Sequence, residues 1–124
     1  MKESVKKNLK RESITKATID LGDFAGGVAC VIEDPTAAQI AEMTATMKRQ
    51  NTSDVEISAA FMRAYIKEIT GEKRADVFNT ELPAPKADLP FWVAWVGALR
   101  MKVVNRVVEC ISEFAADQGA EGNG

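Results

Sequence analysis

The chain has 124 residues, of which 46% are hydrophobic and 27% charged. This length and composition predict one globular domain and exclude wholesale disorder. Its 16 basic and 18 acidic residues give a net charge of −2, which predicts neither a polyanionic partner nor a membrane partner. The absence of histidine excludes Ser–His and Cys–His catalysis and removes the commonest metal ligand. Cys30 and Cys110 are too few for a disulfide scaffold and are expected to be reduced and buried, with a reactive or metal-bound pair as the alternative.

The first residues are mainly polar and basic. Residues 1–13 are expected to form a flexible basic tail or a frayed helix, since Val5 and Leu9 are their only large apolar side chains after Met1. No apolar core follows them, so no secretory signal is predicted. The longest uncharged apolar stretch, residues 89–99, is too short to span a membrane. The protein is therefore expected to stay in the cytoplasm.

A β-hairpin is predicted next. Residues 16–21 and 27–33 are rich in β-branched side chains, and the glycine-rich residues 22–27 between them favour a turn. This glycine-rich segment lacks the spacing of a P-loop or a dinucleotide-binding loop, so a turn is preferred to a phosphate site. The paired carboxylates, Asp20 with Asp23 and Glu33 with Asp34, lie beside a predicted turn or helix start, where acidic side chains have structural roles.

Three main helices are predicted after the hairpin. The first starts at Asp34-Pro35-Thr36 and runs to about residue 49. Either Asp34 caps it with Pro35 at the first helical position, or Thr36 and Gln39 form a capping box. The second starts at the capping box of Ser53 and Glu56 and ends at Thr70-Gly71. Residues 72–88 contain two prolines and predict a long connection.

The last helix is predicted to start at Asp88 and to run for about six turns to Phe114. Residues 117–124 are expected to form a flexible acidic tail. The predicted fold is α+β and mostly α. A short N-terminal β-hairpin packs on three main helices in a single domain of residues 14–116, with the long C-terminal helix central.

A cluster of aromatic residues gives the most informative binding signal. Phe91, Trp92 and Trp95 start the last helix, which is apolar nearly all round in this region. Such a segment is either buried on every side or offered to a partner, and both alternatives remain open. Met43 and Met47 form a second apolar stripe on the first helix, and methionine adapts to varied partners. These five residues are the candidate protein-binding site.

No catalytic residue, cofactor site or metal site is predicted, because no run resembles a calcium loop and no acid/base or ligand constellation is visible. The chain is expected to work by binding other macromolecules rather than as an enzyme.

The apolar strand ending in Val31-Ile32-Glu33-Asp34-Pro35-Thr36 leads into a Thr/Ala-rich helix that starts Ala37-Ala-Gln-Ile-Ala-Glu-Met. With a hairpin before this junction and helices after it, residues 14–115 resemble the tail assembly chaperones of long-tailed bacteriophages and prophages. The resemblance implies a cytoplasmic protein without catalytic residues that coats the tape-measure protein and helps tail-tube subunits assemble around it. It also implies that a longer, frameshifted form is made in many members.

The runner-up is a small nucleic-acid-binding regulator that uses the basic N-terminus. Residues 1–16 hold six basic and two acidic residues, but no aromatic residue that could stack on bases. The stretch after Arg106 has acidic residues and no basic one. The basic head and acidic tail could pair between copies, so homo-oligomerisation is a further expectation.

Overall fold

The computed structural model describes residues 7–22, 29–70 and 88–123, with side chains described as far as residue 116. The fold is α+β and mostly α, as the sequence predicts. In chain order the strands and helices are β1 (Leu9–Arg11), β2 (Lys16–Asp20), β3 (Ala29–Glu33), α1 (Ala37–Lys48), α2 (Asp54–Tyr65), β4 (Ile66–Thr70), α3 (Leu89–Gly97) and α4 (Met101–Asn123).

The strands form one antiparallel sheet in the order β1-β2-β3-β4. The central pair is the predicted hairpin, in register from Lys16 opposite Glu33 to Asp20 opposite Ala29. Side chains alternate between the two faces, and those on the inner face are fully buried in both strands, Ile19 and Ile32 included. The turn expected at residues 22–27 lies, after its first residue, outside the described residues.

Strand β1 differs from the basic tail expected to extend to residue 13. Leu9–Arg11 pair with β2, and Leu9 is buried. Asn8 donates from Nδ2 to the carbonyl oxygen of Asp20 (2.6 Å) and accepts from Arg106 of α4. These partners are distant in the chain, so local composition gives no sign of them.

Capping boxes begin the first two main helices. Thr36 Oγ1 accepts from the Gln39 N–H (3.2 Å), and the Thr36 N–H donates to Gln39 Oε1 (2.8 Å). Ser53 and Glu56 make the equivalent pair of bonds at the start of α2. Each box satisfies N–H groups that have no partner within the helix. The capping box expected at Ser53 is therefore confirmed. At α1 the alternative of Thr36 with Gln39 is confirmed, whereas Asp34 as the cap and Pro35 as the first helical residue are wrong, because the helix starts only at Ala37.

Helix α2 ends five residues before Thr70, where the sequence pattern places its end. Tyr65 is its last residue, and Ile66 already begins β4. Three of the five residues of Ile66–Thr70 are β-branched, and the segment pairs with β3, so sheet hydrogen bonds replace those of a further helical turn. The predicted helix over these residues is wrong because tertiary pairing overrides local periodicity.

The predicted last helix is divided into α3 and α4. The Ala98 N–H donates to Trp95 O, and α4 restarts with Val103 and Val104 donating to Arg100 O. Gly97, with low helix propensity, is the last residue of α3. The backbone of α4 continues to Asn123, through most of the expected acidic tail.

The core lies between the inner face of the sheet and the helices. Helix α4 contacts α2, β1 and β2, and both α1 and α3 pack on α2. The largest fully buried side chains are Trp92, Phe114, Ile19, Leu21, Ile32, Met62 and Ile111. The long helix is central in this core, in agreement with the prediction.

Candidate protein-binding site

The two tryptophans belong to the core. Trp92 and Trp95 are 1% and 3% exposed, and their rings meet edge to face with centroids 5.5 Å apart. This geometry is favourable for aromatic pairs and leaves little ring surface for a partner. Of the two alternatives that the sequence leaves open, the structure shows core packing for both residues.

Phe91 has the opposite environment, with 67% of its surface exposed. It shares the solvent side of α3 with Pro90, Ala94 and Gly97, which are also exposed. We call these four residues the α3 outer face. Helix α3 contains no polar side chain, so this face is apolar although it meets water. A surface helix normally places polar residues there.

A groove of about 570 Å³ is lined by residues of α1 and α2 and by Leu89 at the start of α3. We call it the methionine groove. Its lining residues are Gln39, Glu42, Met43, Ala45, Thr46, Ala60, Arg63, Ala64 and Leu89. Met43 is partly buried against the core, and Met47, one turn further along α1, is 44% exposed. The two methionines therefore lie in and beside one groove.

The edge of the methionine groove is charged. Arg63 of α2 donates from Nη1 to Glu42 Oε2 of α1 at 2.9 Å. The Glu42 side chain is 65% exposed, so this pair adds little to stability. Small alanines and the longer Met43 and Leu89 form the apolar part of the lining. An apolar floor with a polar rim is the usual make-up of a protein-binding surface.

A second groove, of about 360 Å³, lies between the start of α2 and the junction of α3 with α4. It is mostly apolar, with lining residues Asp54, Val55, Ile57, Ser58, Val96, Gly97, Leu99, Met101, Val104 and Asn105. Met101 is 70% exposed and Val55 38%. Sequence reasoning missed this groove. Met101 is the first residue of α4 and Val55 the second of α2, and both lie outside the buried stripe of their helix, which is the signal that could have indicated them.

The two thiols offer no reactive centre. Cys30 and Cys110 are free and buried. Burial raises the pKa of the Cys30 thiol to about 12, with a further contribution from Cys110. Burial likewise raises the pKa of Cys110 to about 11. Protonated, inaccessible thiols are poor nucleophiles.

The carboxylate of Asp20, near the hairpin turn, is bound by groups of the protein itself. Asp20 Oδ1 accepts from the Gly22 N–H (2.9 Å), and its Oδ2 lies 3.4 Å from Lys10 Nζ. The Gly22 hydrogen bond, with help from Lys10, lowers the pKa of Asp20. Its predicted neighbour Asp23 lies outside the described residues. Within the described ranges, no group of three or more Cys, Asp or Glu residues could hold a metal ion.

Two of the N-terminal basic residues have partners within the chain. Lys10 pairs with Asp20. The Arg11 guanidinium lies 4.7 Å from the centre of the Phe114 ring, and Nη2 donates to the Phe114 carbonyl oxygen at 3.1 Å. Both contacts draw basic groups toward the protein's own surface. The structure therefore adds no observation in favour of a nucleic-acid site.

Comparison with protein-family models, with curated proteins and with solved structures found no match for the chain. Across residues 7–22, 29–70 and 88–123, no helix combines the length and hydropathy needed to cross a membrane.

Proposed function

We propose that this protein is a tail assembly chaperone that binds a client protein noncovalently in the cytoplasm, and that it has no catalytic activity. The observation that carries the proposal is the methionine groove, which combines an apolar floor with a charged rim. The resemblance described above supplies the identity of the client, the tape-measure protein, and of the later partner, the tail-tube protein.

The groove suits a helical client. Side chains spaced three and four residues apart on a client helix would contact Met43 and Leu89, while the alanines on both walls allow its backbone to approach. Methionine is unbranched and polarizable, so Met43 and Met47 can adapt to different apolar side chains along a long client. Charged residues of the client would meet Glu42 and Arg63 at the rim.

Co-expression tests this function. The protein is produced with the product of the longest open reading frame downstream in its native genome, and the soluble fraction is analysed by size-exclusion chromatography with light scattering. We expect a soluble complex that holds several copies of the chaperone on one long chain. If the long chain stays insoluble and the protein elutes alone, the chaperone proposal fails.

Charge substitutions locate the binding surface. Met43→Lys and Met47→Lys are both expected to reduce recovery of the complex, because each places a cation on an apolar contact surface. Met47 is more exposed, so its variant keeps the test informative if Met43→Lys does not fold by circular dichroism. Ile14→Lys is the matched control, since Ile14 is 55% exposed and lies between β1 and β2. Equal loss in all three variants would contradict binding through the groove.

The same preparation tests the nucleic-acid alternative. Binding to phosphates weakens steeply with rising salt, whereas burial of apolar surface does not. One outcome would favour the nucleic-acid-binding regulator over the chaperone. In it, the wild-type protein binds a DNA or RNA fragment at low salt, releases it at high salt, and does not bind the long chain.

A further inference from the structure

Among the described residues, the methionines differ widely in their contact with water. Met62 of α2 is 1% exposed, whereas Met47 is 44% and Met101 70% exposed. Met43 is partly buried and packs against the core. A peroxide oxidises a methionine sulfur only where it can reach it. The exposures therefore predict that Met101 and Met47 are oxidised first, Met43 more slowly and Met62 last.

Oxidation converts the apolar thioether of methionine into a polar group. The sulfur of Met47 attacks one oxygen of hydrogen peroxide, the O–O bond breaks, and the hydroxide that leaves takes the proton of the transferred oxygen to become water. The product is a sulfoxide, which is polar where the thioether was apolar. Burying its oxygen against apolar side chains without a hydrogen-bond donor is unfavourable. The modified Met47 is therefore a poorer contact for an apolar partner.

The two most exposed methionines belong to different surfaces. Met47 follows Met43 by four residues on α1, so both side chains lie on one side of that helix. Met43 lines the methionine groove, and Met47 lies beside it. Met101 lines the second groove instead. Oxidation at Met47 and oxidation at Met101 therefore affect separate sites, and their effects can be measured separately.

We infer that Met47 is an oxidation site, and that its conversion to the sulfoxide weakens binding of the client at the methionine groove. This inference rests on the proposed function. Because one apolar contact is lost, the concentration of protein that keeps the client soluble is expected to rise about tenfold. A methionine sulfoxide reductase with a thiol as reductant reverses the change, since the oxygen leaves as water and the thiol becomes a disulfide.

Peptide mass spectrometry tests the chemical step with the purified chain alone. The chain is treated with hydrogen peroxide for increasing times, and the gain of one oxygen atom is followed at each methionine. Met47 and Met101 are expected to react before Met43, and Met43 before Met62. Circular dichroism should show an unchanged fold while only Met47 and Met101 are oxidised. Oxidation of Met62 as fast as that of Met47 would overturn the inference.

Client binding is tested with protein that is oxidised first, for the time at which only Met47 and Met101 react. After removal of the peroxide, the long chain, unfolded in urea, is diluted into wild type, Met47→Leu or Met101→Leu, and light scattering records its aggregation. Leucine keeps an apolar side chain of similar size without the sulfur. Oxidation should reduce the protection given by wild type and by Met101→Leu, and should leave that of Met47→Leu unchanged.

The outcomes separate this inference from the proposed function. Recovery of protection after treatment with the reductase would support the inference. Equal protection by oxidised and untreated wild type would overturn it and leave the chaperone proposal intact. A loss that persists in oxidised Met47→Leu would also overturn it, because Met101 or one of the thiols, which all variants retain, would then be responsible. If untreated protein neither protects the long chain nor co-purifies with it, the chaperone proposal fails and the inference fails with it.

Discussion

Helices α3 and α4 follow each other across residues 98–100, but their exposed faces differ in polarity. Helix α4 buries one face, including Val107, Ile111 and Phe114, and exposes polar residues on the other. Helix α3 buries Trp92 but exposes the α3 outer face, which is as apolar as the buried one. The protein's own fold accounts for the sequence of α4. It accounts for the buried half of α3, whereas the apolar character of the exposed half has no counterpart in the fold.

The largest predicted difference in the free energy of unfolding is between substitutions on the buried side and on the exposed side of α3. Trp92→Ala should lower the free energy of unfolding by about 3–5 kcal/mol, because it removes a buried indole and leaves a cavity. Phe91→Ala should change it by less than about 0.5 kcal/mol. Urea unfolding at a concentration where the protein is monomeric measures both. Similar losses in the two variants would show that α3 has no free face.

The next effect tests how α4 is held to the sheet. Arg11→Ala should lower the free energy of unfolding by about 1–2 kcal/mol, because it removes both the stacking on Phe114 and the bond to its carbonyl oxygen. Lys10→Ala, beside it on β1, should cost no more than about 0.5 kcal/mol, since the Lys10–Asp20 pair is exposed. Thermal unfolding followed by circular dichroism compares them. Equal values would mean that the Arg11 contact does not anchor β1.

A smaller effect concerns the helix starts. Ser53→Ala should lower the free energy of unfolding by about 1 kcal/mol, because it removes the capping bond of α2. Asp88→Ala should cost about 0.3 kcal/mol through the helix dipole alone, since it makes no such bond. Denaturant titration checks the pair. A loss for Asp88 as large as that for Ser53 would show that the Asp88 side chain caps α3.

The smallest predicted effect is a loss of stability when the two buried thiols ionise, and it appears only in alkaline solution. Cys30 on the sheet and Cys110 on the buried face of α4 have pKa values raised to about 12 and about 11 from an ordinary 9.0. The folded protein keeps these protons, while the unfolded chain releases them above pH 9. Their contribution to stability is therefore complete below pH 9 and is lost as the pH rises toward 12.

Unfolding curves at pH 8 and pH 10.5 measure this loss. A Cys30→Ala, Cys110→Ala double variant provides the comparison, because it lacks both thiols but keeps every other group that titrates in this range. We expect a smaller decline in the variant than in the wild type. An identical decline would show that the thiols ionise equally in the folded and unfolded states.

The parts of the fold that depend on neighbouring residues could be predicted from the sequence. The central hairpin and the capping boxes at Thr36 and Ser53 are of this kind, because strand alternation, glycine-rich turns and cap spacing act over a few residues. Strands β1 and β4 could not be predicted. Leu9 and Ile66 enter the sheet through pairing with strands elsewhere in the chain, and this pairing overrides the local pattern.

The candidate site was only partly predictable for a related reason. The position of Phe91, Trp92 and Trp95 on one helix was clear, but an apolar pattern on all sides cannot indicate which side faces inward. The neighbouring α2 decides this by covering the tryptophans. Met43 and Met47 were recognisable from their spacing on α1, whereas the Arg63 rim contact depends on how α2 packs against α1.

The anchoring of β1 has a consequence for protein synthesis. The bonds from Arg106 to Asn8 and from Arg11 to Phe114 span 98 and 103 residues of chain. On the ribosome, the first strand leaves the exit tunnel long before its anchors on α4 exist. Most of the chain must therefore be translated before β1 gains these contacts. Until then, β1 is held only by its pairing with β2, and a strand of three residues gives that edge of the sheet weak protection against pairing with other nascent chains.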